Sequence, residues 1–241
     1  MFDELRNARG ERLDTSLHEP DGAPRALVVI GHGVTANKDR EWAVTLAERL
    51  GVAGFAALRF SFSGNGASEG AFEESCPSKE VEDLFSVIDA AEAAGHSTVV
   101  YVGHSMGAAV GVIAASRDRR IAALVSLAGM VDTADFARRK FGAQQPGDLM
   151  WDKPECPLSR TFLDDMAAIG SVEPLAADIR VPWLLVHGDA DTVVPPEEST
   201  SIAARAAGPV EVHRLAGVDH VFTDAAPAMA QAVVAWLDSL P

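Results

Sequence analysis

Ser105 lies in Gly103-His104-Ser105-Met106-Gly107, and glycines at that spacing around a serine have a chemical use. A hydroxyl is a poor nucleophile at neutral pH and reacts only when a base takes its proton. A serine at the tip of a turn too tight for neighbouring side chains, with a helix N-terminus behind it, is exposed to such a base. The base is ordinarily a histidine, which a carboxylate orients and stabilises when it becomes charged. The sequence offers seven histidines: His18, His32, His96, His104, His187, His213 and His220.

Position separates them. His104 adjoins the serine inside the turn and is expected to point away from it. His187 and His213 fall on strand-like runs, and His18 and His96 lie in polar surface contexts. His32 belongs to a Gly-rich loop, where it can orient backbone. His220 follows the last strand-like run, in Ala216-Gly217-Val218-Asp219-His220-Val221-Phe222. Loops at the carboxyl ends of parallel strands are where α/β sites assemble, so His220 is the candidate base.

For the carboxylate, two aspartates follow the run Trp183 to Val186. Asp189 stands at the strand end and can cap the loop through nearby N–H groups. Asp191 sits further out, with Val193-Val194-Pro195 behind it to pack the loop and aim the carboxylate at the histidine; it is favoured. A tetrahedral oxyanion needs donors as well. The backbone N–H of Met106 opens the helix after the serine. The N–H of Val34, in Gly31-His32-Gly33-Val34, is the candidate second donor.

These residues need a scaffold that delivers them to one edge. Ala26 to Ile30, Phe55 to Phe60, Thr98 to Val102, Ala122 to Ala128 and Pro182 to His187 are short apolar runs, the pattern of strands buried on both faces of a parallel sheet. Val210 to Leu215 reads as a last strand. Helical periodicity lies between them: Asn37 to Leu50 with Trp42, Leu46 and Leu50 on one side and Gly51 as stop, Ser78 to Ala94, the small-residue run Ala108 to Ala115, and Ala225 to Leu240. The alternation predicts a mostly parallel central sheet with helices on both faces. Residues 3–18 read as a polar β-hairpin turning at Arg9-Gly10. Residues 130–181 are far longer than a crossover requires and are expected to form a cap insertion over the site, within a single domain spanning 1–241.

The 241 residues suffice for one α/β domain with a sizeable core. A net charge of −15 argues against nucleic acid and anionic membrane surfaces as partners. Met1 to Asn7 shows no basic segment leading into an apolar one, and no apolar run approaches membrane-spanning length. Cys76 and Cys156 have no metal-ligand spacing and read as reduced thiols, and a cytoplasmic location is expected.

His32-Gly33, Gly103-His104-Ser105-Met106-Gly107, His187-Gly188-Asp189-Ala190-Asp191 and Asp219-His220 together resemble the motif set of α/β-hydrolase-fold serine hydrolases, in the chain order Ser105, Asp191, His220. The resemblance extends over residues 24–240. Arg59 to Gly70, with Gly31 to Lys38, is most similar to small bacterial feruloyl and cinnamoyl esterases, whose relatives include acylglycerol lipase-like and serine aminopeptidase-like hydrolases. That resemblance implies an insertion after the sixth strand, where residues 130–181 fall. It implies a carboxylic ester hydrolase working through an acyl-enzyme on a small-molecule ester, needing no metal or organic cofactor, as a monomer or homodimer. Two alternatives stay open. An aminopeptidase or amidase could hold an α-amine with Glu155, Asp164 or Asp165, and a non-hydrolytic binding module could use the same scaffold.

Overall fold

The computed structural model describes residues 2–240. Its apolar runs become β2 (Leu27–Gly31), β3 (Ala56–Phe60), β4 (Val99–His104), β5 (Ile121–Leu127) and β6 (Trp183–Gly188), buried almost throughout, and β7 (Val210–Leu215) at the sheet edge. With β1 (Thr15–His18) they form a seven-stranded sheet in the order β1-β3-β2-β4-β5-β6-β7. All neighbours pair in parallel except β1, which runs antiparallel to β3. The strand order reverses between β2 and β4, so the crevice outside their carboxyl ends is the natural ligand site of an open α/β sheet.

Among the described residues, six α-helices connect the strands and a seventh follows the last: α1 (Glu41–Val52), α2 (Pro77–Ala93), α3 (Met106–Ala115), α4 (Thr133–Phe141), α5 (Arg160–Ile169), α6 (Glu197–Ala203) and α7 (Ala226–Ser239). Alternation along each strand decides which layer a residue joins. On β2, Leu27 and Val29 pack with Leu84 and Ile88 of α2 and Val110 of α3 on one face. Val28 and Ile30 pack with Leu46 of α1 and Val233 of α7 on the other. Both faces of the sheet are therefore covered.

A third apolar cluster belongs to the stretch between β5 and β6. Phe136 and Phe141 of α4 pack with Phe162 and Met166 of α5, and the cluster reaches Met106 and Val194 on the sheet's carboxyl edge. Asp132 and Ser159 cap the two helices, accepting from Asp135 N and Phe162 N. Glu198 of α6 grips the root of this stretch, one carboxylate oxygen accepting from the N–H groups of Val131 (2.6 Å) and Asp132 (3.1 Å).

Several local expectations change. The hairpin over 3–18 shrinks to one antiparallel bridge between Arg6 and Arg12. Its second arm continues as β1 instead, because β3 presents an unpaired edge that a short strand can cover. Helix α1 starts four residues later than read, since the Asn37 side chain accepts from Asp39 N in a turn that precedes it. It passes through Gly51, and the left-handed residue beyond its end is Gly54 at φ +88°. Helix α6 adds an element that the sequence pattern does not mark. No helix among the described residues is long and apolar enough to cross a membrane.

Candidate active site

Each candidate residue sits just past the carboxyl end of a strand. Ser105 links β4 to α3, Asp191 lies between β6 and α6, and His220 lies between β7 and α7. Ser105 is held at φ 53°, ψ −119°, a conformation that is costly for a residue with a Cβ and that clusters at functional sites. Its own backbone secures the turn. Ser105 N–H donates to Leu127 O, and Ser105 O accepts from Ala108 N and Met130 N. A Cβ on Gly103 would collide with the carbonyl of Gly107, and one on Gly107 with the carbonyl of His32. The turn thus requires both glycines of the motif.

The His32 loop lies directly against the serine: a methyl group on Gly33 would stand 2.8 Å from Ser105 Cβ. His32 fixes this loop from beneath. Its Nδ1–H donates to Gly33 O (2.9 Å), and its Nε2 accepts from Phe62 N–H (3.0 Å). Burial lowers its pKa to about 4, so it remains a neutral strut. Val34 follows in a turn closed by Ala36 N–H donating to Gly33 O, with Thr35 at φ +54°. Val34 lines the pocket beside Ser105, and Met106 opens α3.

Asp191, not Asp189, meets His220. The His220 Nδ1–H donates to Asp191 Oδ2 at 2.7 Å, which leaves Nε2 as the ring nitrogen free to accept a proton. The other carboxylate oxygen accepts from the N–H groups of Val193 (2.7 Å) and Val194 (2.9 Å). Burial works to raise the Asp191 pKa. The bonds from His187 and His220, together with His220's charge and the Val194 N–H, outweigh it and hold the carboxyl well below the usual range. Asp189 instead accepts from Gly217 N–H, tying the β6 and β7 loops together.

Two histidines have roles that the strand pattern concealed. His187 is fully buried, and its Nε2 faces two acceptors, Asp191 Oδ2 (3.1 Å) and Val194 O (3.2 Å). That nitrogen therefore carries the proton, and Nδ1 receives the Ser199 hydroxyl at 2.7 Å. His104 does not turn away from the site. It lines the pocket with its ring 4.8 Å from that of His220 and 4.9 Å from that of Trp42, and its Nε2–H donates to His220 O (2.8 Å). Burial first, then the nearby His220, lowers its pKa to about 3, so it stays uncharged.

The pocket over Ser105 encloses about 200 Å³ and is mainly apolar, with Trp42, Phe136, Trp151 and Val193 among its walls. Phe136 and Trp151 come from the β5–β6 stretch. None of the three acidic residues considered for an α-amine lines it. Asp165 accepts from Ser78 N–H and Oγ–H, while Asp164 is exposed near Arg160 and Glu155 is exposed. Cys76 and Cys156 are unpaired and buried, and burial pushes both thiols up to about 11. They stand as inert packing residues.

Fold and serine turn together are those of the α/β-hydrolase fold. The family described as serine aminopeptidase, S33 matches residues 22–146, over half of the chain, and the chain belongs to that family. Among solved structures, it superposes on Est1E from Butyrivibrio proteoclasticus bound to ferulic acid with a TM-score of 0.85, 26% identity and 95% of each chain covered. The esterase domain of a Rhodothermus marinus protein aligns with a TM-score of 0.77 and 25% identity, over 96% of this chain and 95% of that one. A monoacylglycerol lipase from Paleococcus ferrophilus shares the fold at 21% identity and a TM-score of 0.74, covering 93% of this chain and 98% of that one. In sequence, an uncharacterized protein of Mycobacterium tuberculosis is 27% identical over 197 residues. That match takes in 82% of this chain and 63% of the relative's length.

Proposed function

We propose that the protein is a carboxylic ester hydrolase acting through an acyl-enzyme, with Ser105 as nucleophile, His220 as base and Asp191 as its orienting carboxylate. His220 Nε2 takes the Ser105 proton as Oγ attacks the ester carbonyl. The N–H groups of Val34 and Met106 receive the developing oxyanion, each donor of this kind contributing roughly 3–4 kcal/mol to the barrier. His220 then protonates the departing alcohol, and Asp191 balances the imidazolium in between. Water, activated by the same nitrogen, releases the acid. Residues 130–181 act as a cap that shapes the acyl or alcohol site.

The observation that carries this reading is the 2.7 Å bond from His220 to an Asp191 carboxylate already held by two backbone N–H groups, at the mouth of a pocket that opens on a strained serine. The esterase reading is favoured over the aminopeptidase one because no acidic side chain lines that pocket to hold a free α-amine. The relatives named for esterase and lipase activity support the same choice.

The test is turnover of short- and long-chain p-nitrophenyl esters, methyl ferulate and an amino-acid p-nitroanilide by wild type and Ser105→Ala. Ester cleavage is expected, short chains leading, with the alanine variant losing on the order of 10⁴-fold or more in kcat. Cleavage of the anilide alone would establish the peptidase instead. Equal rates for wild type and variant would remove Ser105 from the mechanism.

A further inference from the structure

Two cations stand at the pocket with no carboxylate on its wall. Arg40 and Lys153 both line the cavity over Ser105, one from the turn before α1 and the other from the β5–β6 stretch. They converge on one backbone group. Lys153 Nζ–H donates to Thr35 O at 2.8 Å and lies 3.3 Å from Thr35 Oγ1, and an Arg40 terminal N–H donates to the same carbonyl at 3.4 Å. Among the described residues, neither cation forms an ion pair, and every acidic residue is missing from the pocket wall. Asp39, next to Arg40 in the chain, gives its carboxylate to Lys38 and Arg59.

Like charges so close repel. Lys153 is held below the ordinary lysine value by its burial and then by Arg40, and Arg40's charge also reaches His104 and His32 around the serine. Glu155, two residues along, partly offsets the Lys153 charge without forming an ion pair, and in a chain with a net charge of −15 a positive pair beside the nucleophile is a local reversal of sign. Resting on the ester-hydrolase reading above, we propose that this pair receives a carboxylate on the substrate, so that the preferred substrates are short esters bearing a free acid group. The guanidinium fork matches a carboxylate in two parallel hydrogen bonds, and the ammonium adds a point charge. The cavity, at about 200 Å³, falls below the roughly 300–1,000 Å³ of pockets for drug-sized ligands, which favours a small ester there.

The experiment compares charged esters with neutral counterparts of similar size in wild type, Arg40→Gln, Lys153→Gln and Lys153→Arg. Monomethyl glutarate against methyl pentanoate puts the acid on the acyl side, and acetoxyacetate against ethyl acetate puts it on the alcohol side. In at least one pair, wild type is expected to favour the acid by about tenfold or more in kcat/KM, the range of one charge-assisted hydrogen bond. That preference is expected to fall towards one in both glutamine variants and to survive in Lys153→Arg. It is also expected to weaken as salt is raised. A structural role for either cation would lower both members of a pair together and leave their ratio intact. A wild-type ratio at or below one in both pairs, or a ratio indifferent to both glutamine substitutions, overturns the proposal while leaving the esterase reading untouched. Should no ester be cleaved, the hydrolase reading fails separately. Calorimetric titration of Ser105→Ala with monomethyl glutarate then decides the cation site: Arg40-dependent binding sustains it and no binding overturns it.

Discussion

Asp191 and Glu80 are both buried carboxylates, and their surroundings drive them in opposite directions. Asp191 receives four donors, two from backbone N–H groups and two from the rings of His187 and His220. Glu80, on α2 beneath the loop after β3, receives one hydroxyl, from Ser75 at 3.2 Å, and its other oxygen has no partner. Burial raises its pKa well above the ordinary value, and Asp83 one turn away adds repulsion. Asp83 itself accepts from Asn7 and Ser63 N–H, and those donors stop short of reversing its own upward shift. Depth alone therefore does not set charge; the donors and charges around the carboxylate do. The catalytic candidate is the carboxylate that the fold has surrounded with N–H groups.

Removing the charge of Asp191 should break the comparison most severely. Asp191→Asn keeps the shape but favours the wrong imidazole tautomer, and kcat on a p-nitrophenyl ester is expected to fall on the order of 10⁴-fold. Taking away one donor comes next. His187→Gln leaves Asp191 with His220 alone on that oxygen, and kcat should drop on the order of 10- to 100-fold, the usual cost of losing a partner that orients a functional group. An unchanged kcat would mean that the backbone N–H groups alone position the aspartate. One step further out, Ser199→Ala removes the hydroxyl that fixes the His187 ring; about fivefold is expected, equivalent to a single hydrogen bond of about 1 kcal/mol.

Glu80→Gln should leave turnover unchanged and alter only how stability depends on pH. Above the ordinary glutamate range, about 4.3, the unfolded chain releases a proton that folded Glu80 keeps. Wild-type stability therefore falls as pH rises from there towards the raised folded value. Asp191 acts with the opposite sign: its contribution is present above the ordinary aspartate range and is lost as pH falls through it. Thermal unfolding between pH 4.5 and 7 should show the glutamine variant losing less stability than wild type, and parallel curves would refute the assignment.

Much of this architecture is legible in the sequence because it rests on local patterns. Strands buried on both faces read as apolar runs, and β7 falls where Val210 to Leu215 predicts it. The serine turn is marked by glycines whose necessity is steric. What stays hidden depends on contacts between distant segments. His187 reads as a strand-end core residue, since nothing local shows that its ring closes on Asp191 and Ser199. His104 reads as a neighbour facing away, since its contact with His220 spans 116 positions. Arg40 and Lys153 are ordinary charges in the sequence, and only folding brings them to one carbonyl. The short α6 lacks a side-chain cap and carries little apolar periodicity, and tertiary contact through Ile202 holds it in place.

The grip of Glu198 on residues 131 and 132 has an evolutionary consequence. It holds main-chain N–H groups, which every residue except proline supplies. Side chains of the stretch beyond can therefore change without removing that hold, apart from Arg139 and Lys140, which donate to Val193 O and Thr192 O and tie it to the Asp191 loop. Phe136 and Trp151, which this stretch brings to the pocket, can thus vary through descent while the main-chain anchor at its root is inherited unchanged.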